Sequence, residues 1–174
     1  GSSLPLDQES EETSPFHETE SLREKALVDL EGALELISDE SKAALMEARQ
    51  RMPDTVNKEA DPIRFLRLEK YNTWAATRRL VAYWSTRKKL FGERAFLPMN
   101  QTGEGTLNRF DIAGLCTGYL AFLPNDNCGR RLCYCDTSKI ASQSAATRIR
   151  VSFYMALIAC AFAFQHMTLP TYYT

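Results

Sequence analysis

Asp61-Pro62-Ile63-Arg64-Phe65-Leu66-Arg67-Leu68 and, past Glu69-Lys70-Tyr71, the run Asn72-Thr73-Trp74 through Arg87-Lys88-Lys89-Leu90-Phe91-Gly92 decide the reading of this chain. An aspartate can cap the free amides of a helix start, and a proline at the first helical position loses no needed hydrogen bond. A short helix over 63–68 is therefore predicted. Asn72 offers a second cap, and Trp74, Leu80, Val81, Trp84 and Phe91 fall on one broad stripe that ends at Gly92, the pattern of an amphipathic helix with an aromatic, buried face. Its other face carries Arg78, Arg79, Arg87, Lys88 and Lys89. These five are the candidate contacts to an anionic surface, against the plainer reading of a solvated helix in a small bundle.

Working toward the N-terminus, charge becomes lopsided. Residues 1–59 hold 15 acidic and 6 basic side chains, whereas 60–94 hold 3 acidic and 9 basic, within a chain whose net charge is only -1. The basic block has three candidate partners: the chain's own acidic N-terminal region, an anionic phospholipid, or a nucleic-acid backbone. No nucleic-acid-reading motif accompanies it, so nucleic acid is not expected. Residues 1–17, rich in Ser, Glu, Pro and Thr, are too poor in apolar side chains to offset the entropy of ordering and are expected to be a disordered acidic tail. Ser21-Leu22-Arg23-Glu24 has capping-box spacing, and Leu27, Leu30, Leu34 and Ile37 follow on one helical face. Ser38-Asp39-Glu40 either breaks that helix or starts a second, which Pro53 is expected to end.

Toward the C-terminus, Pro98–Asn108 reads as loop. Gly103-Glu104-Gly105 is too short a glycine signal to cradle phosphate, and Asn100-Gln101-Thr102 fits a glycosylation sequon by chance. Gly118–Leu123 and Arg130–Cys135 are short strand-like runs around the turn-rich Pro124-Asn125-Asp126-Asn127-Cys128-Gly129, so a β-hairpin is predicted. Ser142 or Ser144 then caps a long helix reaching Gln165. Its stretch Val151–Phe164 is uncharged but shorter than the ~20 residues that span a bilayer, so a buried core helix is expected.

The 174 residues, 44% hydrophobic and 25% charged, suit about one folded domain. Five cysteines and the lack of a basic-then-apolar leader favour a reducing, cytoplasmic setting, with peripheral membrane contact allowed. The chain opens on Gly1 rather than Met and is expected to be a piece of something longer. Catalysis is not expected, because His17 and His166 are the two histidines and neither sits in a recognisable motif. A metal site or other cofactor is not expected either: Cys128, Cys133 and Cys135 are spaced x4 then x1, unlike paired zinc ligands, and Cys133 and Cys135 read as small buried hydrophobes.

Ile63-Arg64-Phe65-Leu66-Arg67, Lys70-Tyr71, Ala75-Ala76, Leu80, Trp84 and Arg87-Lys88 resemble the N-terminal helical module of CRAL-TRIO proteins. Gly118-Tyr119-Leu120-Ala121-Phe122, Asp126, Gly129-Arg130-Arg131-Leu132 and Tyr134 resemble that family's opening hairpin, with Arg131 where the family's turn carries proline. The resemblance implies a mainly α fold with a small β-hairpin: a tail over 1–17, a helical module over 18–97, and over 98–174 the start of a truncated or minimal α/β lipid-binding domain. It implies binding or transfer of a hydrophobic ligand of the phosphoinositide, tocopherol or retinoid class, with no bond made or broken. Most of the family's pocket would lie beyond Thr174, so none of its ligand contacts transfers by motif. Strand alternation makes Leu120 and Phe122 on one strand, and Leu132 and Tyr134 on the other, the candidate lipid contacts, with packing beneath the long helix as the plainer reading. The alternative function is a helical protein-interaction or regulatory module that docks a partner on the Trp74–Phe91 helix and holds no ligand. Oligomeric state is left open.

Overall fold

The computed structural model describes residues 18–130, 132–139 and 143–167, with side chains through residue 159. The tail expected over 1–17, with His17, lies outside the described residues, as do Arg131 and the side chains of Cys160 and His166.

Thr19, rather than Ser21, caps the first helix: its hydroxyl accepts from Leu22 N at 3.2 Å, and α1 spans Glu20–Glu35. Ser38 caps α2, Asp39–Arg51, so the Ser-Asp-Glu segment starts a second helix. That helix ends just ahead of Pro53, as expected, with Met52 as its C-cap. Pro53 then stands at the first position of α3, Pro53–Glu59, a seven-residue element too short to show periodicity. Asp61 accepts from Ile63 N at 3.0 Å and opens α4, Pro62–Leu68. Asn72 accepts from Ala75 N at 3.0 Å and opens α5, Thr73–Phe91. Gly92, at φ +58°, leads out of α5 with a backbone conformation that side chains disfavour.

A 3-10 turn, Gly92–Phe96, and an irregular segment follow. Then come α6, Arg109–Cys116; β1, Leu120–Leu123; β2, Leu132–Cys135; and α7, Ala145–Met167. The fold is thus mainly α with one two-stranded antiparallel hairpin among the described residues. No helix among them is long and apolar enough to cross a membrane.

Two apolar clusters meet on α5. Leu30, Leu45, Leu66, Leu80 and Trp84 are fully buried where α1, α2, α4 and α5 pack together, and each such side chain contributes on the order of 1.5–3 kcal/mol by leaving water. Phe91, Ala95, Leu107 and Tyr154 form the second cluster, flanked by Phe153 and Ile158. Tyr83 joins the two, meeting Trp84 edge-on at 5.4 Å and stacking on Phe153 of α7 at 5.6 Å. α5 therefore packs against α1, α2 and α4 through the first cluster and against α7 through Tyr83 and Phe153.

Two expectations are corrected. Trp74 is 45% exposed; it sits in the first turn of α5, roughly a quarter turn from the centre of the buried stripe. Cys133 and Cys135 are exposed rather than buried, because no described element covers β2; Cys128, in the turn, is exposed as well. Pro98–Asn108 is irregular as expected, and Asn108 with Asp111 forms a reciprocal capping box that starts α6, a helix the sequence reading did not name.

Candidate functional site

Arg87 is the most consequential departure from the expected basic face. It is 0% exposed, so it is no contact for an anionic surface. Its position on α5, three residues after Trp84, turns it inward. Nη1 donates to Glu59 Oε2 at 2.7 Å and to the Tyr83 hydroxyl at 2.9 Å; Nη2 donates to Leu97 O at 2.7 Å and Thr106 Oγ1 at 3.0 Å. The guanidinium carbon lies 4.8 Å from the centre of the Trp84 ring. A buried cation needs this degree of pairing, because an ion stripped of water without partners is strongly destabilising. Burial also pushes the Tyr83 hydroxyl above its ordinary pKa, against the opposing influence of Arg87.

The other four basic candidates divide into two pairs. Arg79 is bonded to Glu69, and Lys88 Nζ donates to Glu47 at 2.6 Å. Arg78 and Lys89 are exposed and have no ion-pair partner among the described residues. With Arg67 held by Glu18 through two 2.8 Å bonds, three cations of the basic block, Arg67, Arg87 and Lys88, are engaged by acids of residues 18–59. The chain's own acidic region is thus a partner of the basic block.

Arg78 lines a groove of about 480 Å³ with Leu36, Ile37, Trp74, Val81 and Ser85, where the turn between α1 and α2 meets α5. Leu36 is 79% exposed beside it.

In the hairpin, Leu120 pairs with Cys135, Ala121 with Tyr134, Phe122 with Cys133 and Leu123 with Leu132. Directly opposed residues of an antiparallel pair share a face. Leu120 and Phe122 therefore lie with Cys133 and Cys135, whereas Leu132 and Tyr134 lie with Ala121 and Leu123. The four candidate lipid contacts do not form one face. The first pair is half-buried, and the second is open to solvent at 43% for Leu132 and 49% for Tyr134.

Beneath the hairpin, Tyr119 donates its hydroxyl to Arg148 O at 2.9 Å, tying the strand to α7. Asp111, fully buried, accepts from Arg150 Nε at 2.8 Å while its other oxygen accepts from Asn108 N at 3.1 Å. The close approach of α6 to α7 depends on Gly114: a Cβ there would come within 2.9 Å of Thr147 Cγ2. An open groove of about 450 Å³ remains between the two helices, lined by Phe110, Thr117, Gln143, Ser144, Thr147 and Arg150. Among the described residues no group of three or more His, Cys, Asp and Glu converges to hold a metal ion.

Sequence reasoning missed Glu59, Thr106 and the Asp111–Arg150 pair. Asn108-x-x-Asp111 was a legible signal, since it has capping-box spacing. Glu59 and Thr106 gave none, because their roles come from elements distant in sequence.

Compared with protein-family models, curated proteins and solved structures, the chain matches none.

Proposed function

We propose that this chain is a non-catalytic binder of a hydrophobic, lipid-like ligand. The observation that supports this reading is the hairpin, whose four β2 side chains are all exposed, Leu132 and Tyr134 among them, beside a long helix rich in apolar residues. Uncovered apolar and aromatic side chains grouped on one element mark a surface that gains free energy from an apolar occupant, at about 25 cal/mol per Å² removed from water. The resemblance of Ile63–Lys88 and of the hairpin residues to CRAL-TRIO proteins points the same way. Peripheral contact with an anionic membrane fits Arg78 and Lys89 as the two basic residues of the α5 face that remain without an ion-pair partner among the described residues.

Native mass spectrometry of the purified chain, followed by organic extraction and lipid identification, tests this reading. A stoichiometric hydrophobic ligand supports it. A folded, monodisperse and ligand-free chain, still empty after incubation with mixed phospholipid vesicles, overturns it.

A second reading, a partner-docking helical module, is favoured by the groove beside α5, where exposed Trp74 and Leu36 flank Arg78. Aromatic residues and arginine are the side chains that most often anchor such interfaces. Loss of a captured partner with Trp74→Ala, in a chain that carries no lipid, distinguishes it.

A further inference from the structure

Where the sequence predicts two buried packing residues, the hairpin presents two open thiols: Cys133 and Cys135 are both free and both exposed on β2. They stand two residues apart on one strand, so the alternation of side chains puts them on the same face. The register sets Phe122 opposite Cys133 and Leu120 opposite Cys135, and these half-buried apolar side chains border the pair across the ladder. Cys116, by contrast, ends α6, and Cys128 lies in the turn.

Spacing decides what the pair can do. Residues i and i+2 of a strand lie about 6.8 Å apart, and their Cβ atoms, projecting from the same side, keep nearly that separation. A disulfide needs Cβ atoms about 3.8 Å apart, so closing one would draw the strand in by about 3 Å and pull it from its pairing with β1. The pair is therefore unsuited to a bond between its own sulfurs. An ion between them asks for much less. A metal–thiolate bond is about 2.3 Å long, so a linear sulfur–metal–sulfur bridge spans about 4.6 Å, and each sulfur leans inward by roughly 1 Å to make it.

We propose that Cys133 and Cys135 are a two-thiolate site for a soft, monovalent metal ion of the copper(I) kind. Thiolates select soft ions, and a linear site is complete with two ligands. Zinc is a poorer fit, because its structural sites take four and, among the described residues, no third His, Cys, Asp or Glu joins this pair. Binding releases one proton from each thiol to solvent and forms two sulfur–metal bonds with no change of oxidation state, so affinity rises with pH. The second contact, made within one chain, strengthens binding by about 10²–10⁴ over a single thiol.

Copper(I) titrated anaerobically into the reduced chain against a chromogenic copper(I) chelator is the test, with native mass spectrometry reading which species carries the metal. One copper ion per 19.7 kDa chain is expected, with two sulfur neighbours in its X-ray absorption spectrum. Cys133→Ser and Cys135→Ser are each expected to weaken binding by about a hundredfold or more, whereas Cys116→Ser and Cys128→Ser leave it unchanged. All four side chains are exposed, and unaltered circular dichroism separates loss of a ligand from unfolding. A wild-type chain that cedes all its copper to the chelator, a Cys133→Ser or Cys135→Ser variant that binds like wild type, or copper held only between two chains overturns the proposal. No lipid enters the measurement, so the lipid reading stands or falls separately.

Discussion

Glu59 accepts from Arg87 at 2.7 Å through one carboxylate oxygen and from Met99 N at 2.7 Å through the other. One side chain at the end of α3 thus holds both the inward-facing cation of α5 and the backbone after the 3-10 turn. Through Arg87 the same network reaches Leu97 O and Thr106. The geometry of the helical module and the path of the chain toward α6 are consequently set by a single cluster.

Arg87→Met leaves Glu59 without its cation and takes a donor from Tyr83, Leu97 O and Thr106, and should destabilise the fold by about 3 kcal/mol, the usual magnitude for breaking a buried pair. Arg87→Lys should recover only part of this, since an ammonium cannot reproduce the planar fork that reaches four acceptors. Urea unfolding of the three proteins checks the order wild type, Lys, Met.

Asp111 both caps α6 and neutralises Arg150. Asp111→Ala should lower stability by about 3 kcal/mol, and Arg150→Ala, which keeps the capping box but leaves the fully buried Asp111 carboxylate without its cation, should lower it at least as much. Thermal unfolding of the pair measures the difference.

Hydrogen bonding from Arg67 holds the Glu18 carboxyl below its ordinary pKa, although burial acts in the other direction. A depressed folded-state pKa means that the contribution is present at neutral pH and is lost as pH falls below the unfolded-state value of about 4.3 and through the folded one. Glu18→Gln should therefore be less stable at pH 7 yet lose less on acidification. Urea midpoints taken from neutral pH to below the carboxylate range test this; parallel curves would contradict it.

On the surface of α5, Arg79 and Lys88 are already paired with acids, whereas Arg78 and Lys89 have no ion-pair partner among the described residues. Binding to phosphatidylserine-containing vesicles should fall severalfold with Arg78→Gln or Lys89→Gln, at about 1 kcal/mol per cation near an anionic surface. Arg79→Gln and Lys88→Gln should have the smaller effect. Vesicle co-sedimentation at two salt concentrations gives the comparison, and equal losses at all four positions would contradict it.

Several local devices were legible in the residues alone. Asp61-Pro62 and Asn72 started the helices they announced, and Ser144 Oγ caps α7 by accepting from Thr147 N at 3.1 Å. The turn cluster between β1 and β2 marked the hairpin. The start of α1 slid by two residues because Thr19 and Ser21 are chemically equivalent caps, and the entry of the chain past Arg67 chose between them. The short α3 and α6 escaped periodicity, since seven or eight residues contain about two turns.

By itself the sequence determined the mainly helical class, the stops and starts written in Pro, Asn, Asp and Gly, and the alternation of the hairpin. These depend on hydrogen bonds within a few residues, whose partners the local chain already supplies. Only the tertiary structure decided that Arg87 is interior while Arg78 is exterior, that Trp74 is uncovered, and that Leu120 and Phe122 face away from Leu132 and Tyr134. Each of those outcomes depends on a partner far along the chain: Glu59 and Thr106 for Arg87, the packing of α1 and α2 for the sides of α5, and the register of β1 against β2 for the hairpin. A residue's type limits the partners it can satisfy, but the fold decides which of them arrives.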